Sequence, residues 1–359
     1  MKQTLIVAEA GVNHNGSLDL ALSLVDAAAQ AGADVVKFQT FKTDLLTTQF
    51  APTASYQARE TGISKQYDMI RGLELSDKDH QVLHAHSKKR GLEFLSTAFD
   101  LVSLDMLTTN KYIQRIKIPS GEITNGPLLL HISRKKLPII MSTGMSNIEE
   151  IRAALEVIAF GLTAPSGIPP TRAGLLNSYS SNEGQQALKE KVTLLHCTTE
   201  YPALVEAVNL RAMDTLQREF RLPVGYSDHT AGIAIALAAT ARGATVIEKH
   251  ITIDKSMSGP DHKASLEPQE FKSLVEGIRL IEQAMGDGKK IPHATESKNI
   301  PIARRSLVAA QAIKSGEEYT AENLTAKRPA TGVSPMEYWV YLGAHAKRSY
   351  APDECIDPL

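Results

Sequence analysis

Eight short apolar runs in this chain carry charged or hydrogen-bonding side chains at or near their C-terminal ends. The first run reaches Glu9, the second holds Lys37 and Gln39, and the third holds Thr97. The fourth holds Lys117 and continues into Ser120 and Glu122 in IKIPSGE, the fifth offers Ser142, and the sixth His196. The seventh closes on Ser227-Asp228-His229 and the eighth on Glu248-Lys249-His250. Two lysines among the hydroxyls of Thr97, Ser120, Ser142 and Ser227 suit an anion such as a phosphate or a carboxylate. The alternative is that each lysine is neutralised by a neighbouring strand's carboxylate, for which Glu9, Glu122 and Glu248 are available. His229 and His250 could share a divalent metal whose shell is completed by water, substrate or a carboxylate. They could equally be general acid–base groups or core histidines bonded to backbone. His14, His196 and His262 are further candidates on loops or strand ends. The Gly-Pro-Asp-His stretch, Gly259–His262, could deliver Asp261 over a site or be a plain turn.

These residues need elements that bring them together. The runs Thr4–Ala10, Val35–Thr40, Glu93–Phe99, Gln114–Pro119, Pro138–Thr143, Val192–Thr198, Pro223–Ser227 and Val246–Thr252 read as strands. Residues two apart on a strand face the same way, which pairs Lys37 with Gln39, Ser227 with His229 and Glu248 with His250. Helical patterns such as Leu18–Ala31 and Ile148–Phe160 separate most of the runs. Eight strands alternating with helices over residues 1–285 predict a (β/α)8 TIM barrel, a fold that takes ~250 residues and gathers its strand ends at one site. An open doubly wound sheet would call for a Gly-rich fingerprint after the first strand, and the turn there reads EAGVNHNGS. Polar groups from most strands pointing to one place are costly unless they serve a site. The segment Thr43–Glu74 falls on the catalytic side of such a barrel. Gly161–Lys191, rich in Ser, Pro, Gly and Asn, precedes the sixth strand. It is expected to be a surface insertion on the opposite face, with no catalytic part. Residues 286–301 read as a Gly/Pro linker, and residues 302–359 as a small, mostly irregular α+β module.

Bulk composition narrows the function classes. The 359 residues hold 39 Lys+Arg against 40 Asp+Glu, a net charge of −1, so no whole-molecule field attracts nucleic acid or an acidic membrane. The clusters Lys88-Lys89-Arg90 and Arg134-Lys135-Lys136 read as solvated helix ends. Cys197 and Cys355 are too few for a disulfide framework, which points to a reducing, cytoplasmic setting. The longest small-apolar stretch, Gly232 to Ala241, falls short of the ~20 residues a membrane helix needs. The opening MKQTLIVAEAG is broken by Glu9 and reads as a first strand rather than a signal peptide.

Taken in order, VAEAGVNHNGS, VVKFQTFK, LSTAFD, IKIPSGE, STGM, LHCTTEYP, GYSDHT, EKHIT and SGPDHKASLEP resemble the N-acetylneuraminate (sialic acid) synthase family. The terminal SLVAA…KSGEEYTAENLTAKRPATG resembles that family's antifreeze-protein-like (SAF) domain. The resemblance covers nearly the whole chain. It implies condensation of phosphoenolpyruvate with an open-chain N-acetylmannosamine-type sugar, giving a nine-carbon 2-keto acid and phosphate. It also implies a divalent metal, manganese or magnesium, and a domain-swapped homodimer in which each C-terminal module covers the partner's barrel. Carried over by motif, His229 and His250 would be the metal ligands. Lys37, Thr97, Lys117, Ser120, Ser142 and Ser227 would hold phosphoenolpyruvate. Glu9, Glu122 and Lys117 would serve catalysis, and Gln39, Tyr201, Asp261 and Arg328 would face the sugar. Members that make sialic acid often carry Asn shortly after the HC pair, where this chain has Thr198-Thr199-Glu200-Tyr201. In this stretch and in MSGPDHKASLEP the chain looks closer to the legionaminic acid branch, whose sugar is 2,4-diacetamido-2,4,6-trideoxymannose. N-acetylmannosamine, giving sialic acid, is the alternative substrate.

Two other classes compete. A Schiff-base aldolase on the same barrel would use Lys37 or Lys117 as its amine. A non-catalytic sugar- or ice-binding protein would act through the C-terminal module, and would leave the barrel's polar rim without a purpose.

Overall fold

The computed structural model describes residues 3–359, the Tyr56 side chain apart. The chain forms two compact units, Met1–Gly286 and Asp287–Leu359. In the first, eight strands run β1 (Leu5–Gly11), β2 (Val35–Thr40), β3 (Glu93–Ala98), β4 (Ile116–Ile118), β5 (Ile139–Ser142), β6 (Val192–Cys197), β7 (Val224–Asp228) and β8 (Val246–His250). They pair in the order β3-β2-β1-β8-β7-β6-β5-β4. Each ladder in that series is parallel. The two end strands, β3 and β4, are spatial neighbours, so the sheet curls into a nearly closed barrel. The expected TIM barrel is therefore the observed architecture.

The strands form where β-branched and aliphatic residues cluster, and most of their residues are buried on both faces. The helices cover the outside. Leu18–Ala31 starts on a Ser17 cap and turns Ala21, Leu24, Val25 and Ala28 inward. It packs beside Pro268–Ala284, which buries Phe271, Leu274, Val275 and Ile278. β4 is shorter than the predicted Gln114–Pro119. Pro119 has no N–H to extend the ladder, and the chain turns at once into a 3-10 turn over Ser120–Glu122.

Gly161–Lys191 differs from expectation in conformation. The helix Ile148–Thr163 runs through Gly161, and two more helices follow, Arg172–Ser180 and Asn182–Lys191. The Thr171 and Ser181 hydroxyls cap these by accepting from Gly174 N (3.1 Å) and Gly184 N (2.9 Å). The serines and threonines that suggested a loop are in part helix starts.

The second unit pairs β9 (Ser306–Ala309) antiparallel with β10 (Leu324–Lys327). Its own core gathers Leu307, Ile313, Tyr319, Leu324, Tyr350 and Ile356. The expected linker, residues 286–301, contains the four-residue helix Ala294–Ser297, and a second, Ile300–Ala303, runs across its expected end. Among the described residues no helix is long and apolar enough to cross a membrane.

Candidate active site

Strand parity decides what faces the barrel interior. The register sets Glu9 beside both Lys37 and His250, Gln39 beside Thr97, and Ser227 beside Glu248. The intervening residues face outward. There Lys249 donates to Asp228 at 2.8 Å, a pair whose side chains are fully buried. One strand thus carries a structural ion pair on one side and site residues on the other.

A cavity of about 330 Å³ opens at the C-terminal ends of the strands. Every predicted site residue of the first unit lines it: Glu9, Lys37, Gln39, Thr97, Lys117, Ser120, Glu122, Ser142, Tyr201, Ser227, His229, His250 and Asp261. Arg328 belongs to the second unit, where it is exposed and precedes a cis bond to Pro329. His14, His196 and His262 do not reach the cavity. His14 Nδ1 accepts from Gly16 N at 3.0 Å, and His196 Nε2 donates to the Val208 carbonyl at 2.6 Å. His262 lies between Thr252 and Asn15.

The floor is ionic. Lys37 Nζ lies 2.6 Å from Glu9 Oε2 and 3.6 Å from Glu248 Oε2, and donates to Thr97 Oγ1 at 3.2 Å. Lys117 Nζ donates to Ser142 Oγ at 2.8 Å and lies 3.4 Å from Glu248 Oε1. Ser227 Oγ donates to the same Glu248 oxygen at 2.9 Å. The pairing of lysines with neighbouring carboxylates is therefore realised inside the anion-suited cluster. Both ammonium groups keep a hydroxyl within reach as well. Burial favours the neutral form of Lys37, but Glu248 and Glu9 outweigh it and hold the ammonium above its ordinary range. Burial draws Lys117 below the usual lysine range, only partly opposed by Glu248. Burial also raises Glu9. Glu248 is buried too, yet Lys117 and Lys37 bring it down to about 2.

Glu248 is expected from the sequence both as the same-face partner of His250 and as one of three carboxylates that could pair with the lysines, and it does pair with both; its place among the site residues themselves is what the sequence reading missed. Alternation along β8 was the signal, since any residue two before an inward histidine is also inward. Cys197 was missed as well. Its Sγ lies 3.2 Å from Ser120 Oγ, which also accepts from Gly144 N at 3.0 Å. A Cβ at Gly144 would run into Thr199 Oγ1 and stand 2.8 Å from Ser120 Oγ and 2.9 Å from Cys197 Sγ, so any larger residue would push these side chains apart. Gly11 serves the other side of the floor. Its positive φ of 53° falls where the β1–β2 register shifts, letting β1 end beside Glu9 and His250.

The two histidines form the rim. Their ring centroids are 5.6 Å apart, and Tyr201 lies 4.1 Å from His229 and 5.6 Å from His250. His229 Nδ1 donates to the Thr198 carbonyl at 2.6 Å, which leaves Nε2 with its lone pair. Burial lowers His229 to about 4 and holds His250 well below the ordinary range, so both rings are neutral near pH 7. His250 Nδ1 is buried without a hydrogen-bond partner, with Asp261 Oδ2 at 4.0 Å. Neutral imidazoles with open nitrogens are the state a divalent metal requires. Among the described residues no three His, Cys, Asp or Glu side chains form a ready-made cage. The histidines fit a metal whose remaining positions go to substrate and water. Glu122, on the 3-10 turn, accepts from Asn125 Nδ2 at 2.7 Å.

Comparison with known proteins agrees with this architecture. The NeuB family model matches residues 24–290, and a SAF domain model matches residues 304–358. The chain is 50% identical over 357 residues to N,N'-diacetyllegionaminic acid synthase of Campylobacter jejuni, covering 99% of each chain. It is 46% identical over 340 residues to the enzyme of the same name from Legionella pneumophila, covering 94% of this chain and 89% of that one. Among solved structures, N-acetylneuraminic acid (sialic acid) synthetase from Leptospira borgpetersenii superposes with a TM-score of 0.67 at 32% identity, over 83% of this chain and 90% of that one. With a full-length relative at half identity and a family model matching most of the barrel, the chain belongs to the NeuB family, with a SAF domain at its C-terminal end.

Proposed function

We propose that this NeuB-family synthase condenses phosphoenolpyruvate with 2,4-diacetamido-2,4,6-trideoxymannose to give N,N'-diacetyllegionaminic acid and phosphate. The observation that carries the reaction class is the floor of the cavity. Two buried lysines, each beside a hydroxyl, face the same space as two neutral histidines and the carboxyl groups of Glu9, Glu122, Glu248 and Asp261. The sugar is supported by the identity pattern, 50% and 46% to the legionaminic acid synthases against 32% to the sialic acid synthetase.

Lys37 and Lys117, with Thr97, Ser120, Ser142 and Ser227, hold the phosphate and carboxylate and fix the enol geometry. Gln39, Tyr201 and Asp261 orient the open-chain sugar so that its aldehyde meets C3 of the enol phosphate. The new C3–C1 bond takes the enol π electrons, pushes the aldehyde C=O pair onto its oxygen and leaves C2 electron-poor. Glu9 and Glu122 stabilise that cation and relay the proton lost when water adds to it, which ends on the new C1 alkoxide. The resulting tetrahedral carbon releases phosphate and becomes the 2-keto group. A divalent metal, manganese or magnesium, held by His229 and His250 would supply Lewis-acid polarisation of the aldehyde oxygen. The same reading divides the chain into a catalytic barrel (1–285), a linker (286–301) and a SAF domain (302–359). It makes the working unit a homodimer in which Arg328 of each module reaches the acyl group of sugar bound to its partner. The setting is the cytoplasm, where phosphoenolpyruvate is made.

The test is phosphate release with manganese and phosphoenolpyruvate over a panel of mannosamine derivatives. The diacetamido sugar should be the best substrate. N-acetylmannosamine turning over equally well or better would move the assignment to a sialic acid synthase. EDTA should inactivate the enzyme. Borohydride with pyruvate should leave Lys37 and Lys117 unlabelled, which separates it from a Schiff-base aldolase.

A further inference from the structure

The cavity wall contributed by residues 43–74 is chemically unlike the floor. Leu46, Met69, Ile70 and Leu73 line it and belong to a separate apolar cluster above the barrel end. Two amides interrupt this surface. Gln57 Oε1 accepts from Ala54 N at 3.1 Å, and Gln66 Oε1 accepts from Thr47 Oγ1 at 3.1 Å. Both side chains line the cavity, and with each oxygen engaged the NH2 group is what each has to offer a ligand. Nothing in this wall can neutralise an anion, so it has no part to play toward phosphoenolpyruvate. Amide donors beside an apolar surface match a secondary acetamido group, whose carbonyl accepts while its methyl packs away from water.

We infer that this wall is the subsite for the second acetamido group and the deoxygenated C6 methyl of the sugar, with Gln57 and Gln66 donating to the acetamido carbonyl. The inference rests on the reading of the reaction given above and adds the residues that choose the sugar. N-acetylmannosamine carries hydroxyls at C4 and C6. One methyl in an apolar pocket discriminates by about ten-fold or more, and a lost hydrogen bond adds to that.

Gln57→Glu and Gln66→Glu test it cleanly. Glutamate keeps the oxygen that Ala54 N–H and the Thr47 hydroxyl use, so the loop retains its internal bonds, while the donor becomes an acceptor. Leu73→Asn probes the apolar part. The measurement is kcat/KM for the diacetamido sugar divided by that for N-acetylmannosamine, with KM for phosphoenolpyruvate recorded in parallel. Each variant should lower the ratio by about ten-fold, through KM for the sugar, and Leu73→Asn, which adds no charge, should leave KM for phosphoenolpyruvate unchanged. A wild type that prefers the diacetamido sugar and variants that keep its ratio would overturn the subsite alone. So would a parallel rise in KM for phosphoenolpyruvate in the uncharged Leu73→Asn variant, which signals a general collapse of the cavity. A wild type that prefers N-acetylmannosamine would overturn the choice of sugar, and the subsite with it.

Discussion

Glu248 holds two ammonium groups and a hydroxyl at once, although an acidic side chain at the floor of an anion site looks out of place. Lys37 and Lys117 are both nearly fully buried, and an unpaired buried charge is expensive. Glu248 and Glu9 together balance the two lysines until an anionic substrate arrives. Glu248→Gln leaves Glu9 alone to compensate both. We expect it to lower the unfolding free energy by about 3–5 kcal/mol, measured by urea denaturation. Phosphoenolpyruvate adds negative charge at the lysines, so at saturation it should raise the midpoint more in the variant than in the wild type. Equal shifts would mean that the ligand does not sit against these lysines. The lysines were legible in the sequence because a charge inside an apolar run has few structural excuses. Glu248 was harder to read. Its value lies in offsetting charges brought by β2 and β4, a pairing the sequence offers to Glu9, Glu122 and Glu248 alike without choosing among them.

At the scale of the strand, alternation separates chemistry from architecture. On β7, Ser227 faces the cavity and Asp228 faces outward to Lys249 on β8. Two adjacent substitutions should therefore behave oppositely. Ser227→Ala should raise KM for phosphoenolpyruvate with a stability change of about 1.5–3 kcal/mol at most, as for one hydrogen bond to a charged group. Asp228→Asn strands the Lys249 charge in the protein interior and should cost about 3–5 kcal/mol in denaturant unfolding. Comparable stability losses in both would contradict the division of faces. This parity was readable in advance, as were the eight strands, because periodicity is a local property. The helices of residues 172–191 were not readable in the same way. Ser, Gly and Asn there signal turns by composition, yet Thr171 and Ser181 act as caps and Leu188 is buried by neighbouring helices. The apolar wall of residues 43–74 was hidden for a related reason. Its short helices are four to seven residues long, too brief to show a period, and only folding over the barrel end turns Met69 and Ile70 toward the cavity.

At the scale of the whole molecule, buried neutral histidines set a limit on the acid side. Burial brings His14 down to about 4 from an ordinary 6.5, and its Nδ1 must stay deprotonated to accept from Gly16 N. Above pH 6.5 the folded and unfolded chains bind the same protons at this ring. Between pH 6.5 and 4 only the unfolded chain takes one up, so stability falls by about 3 kcal/mol from this group. His14→Asn keeps an acceptor and cannot titrate, so its unfolding free energy should decline less steeply over that window. The proposed dimer makes a second demand at this scale, because a barrel and the module serving it would come from different chains. On the proposed roles, Glu122→Gln should disable a barrel and Arg328→Ala a module. In a swapped dimer of one such chain with the other, the Arg328→Ala barrel is served by the Glu122→Gln chain's intact module, which restores one complete site. Random re-pairing of equal amounts makes half the dimers mixed, so activity should return to about a quarter of the wild-type level from two nearly inactive parents. If each module serves its own barrel, no complete site forms in any pairing, and the mixture stays at the average of its parents.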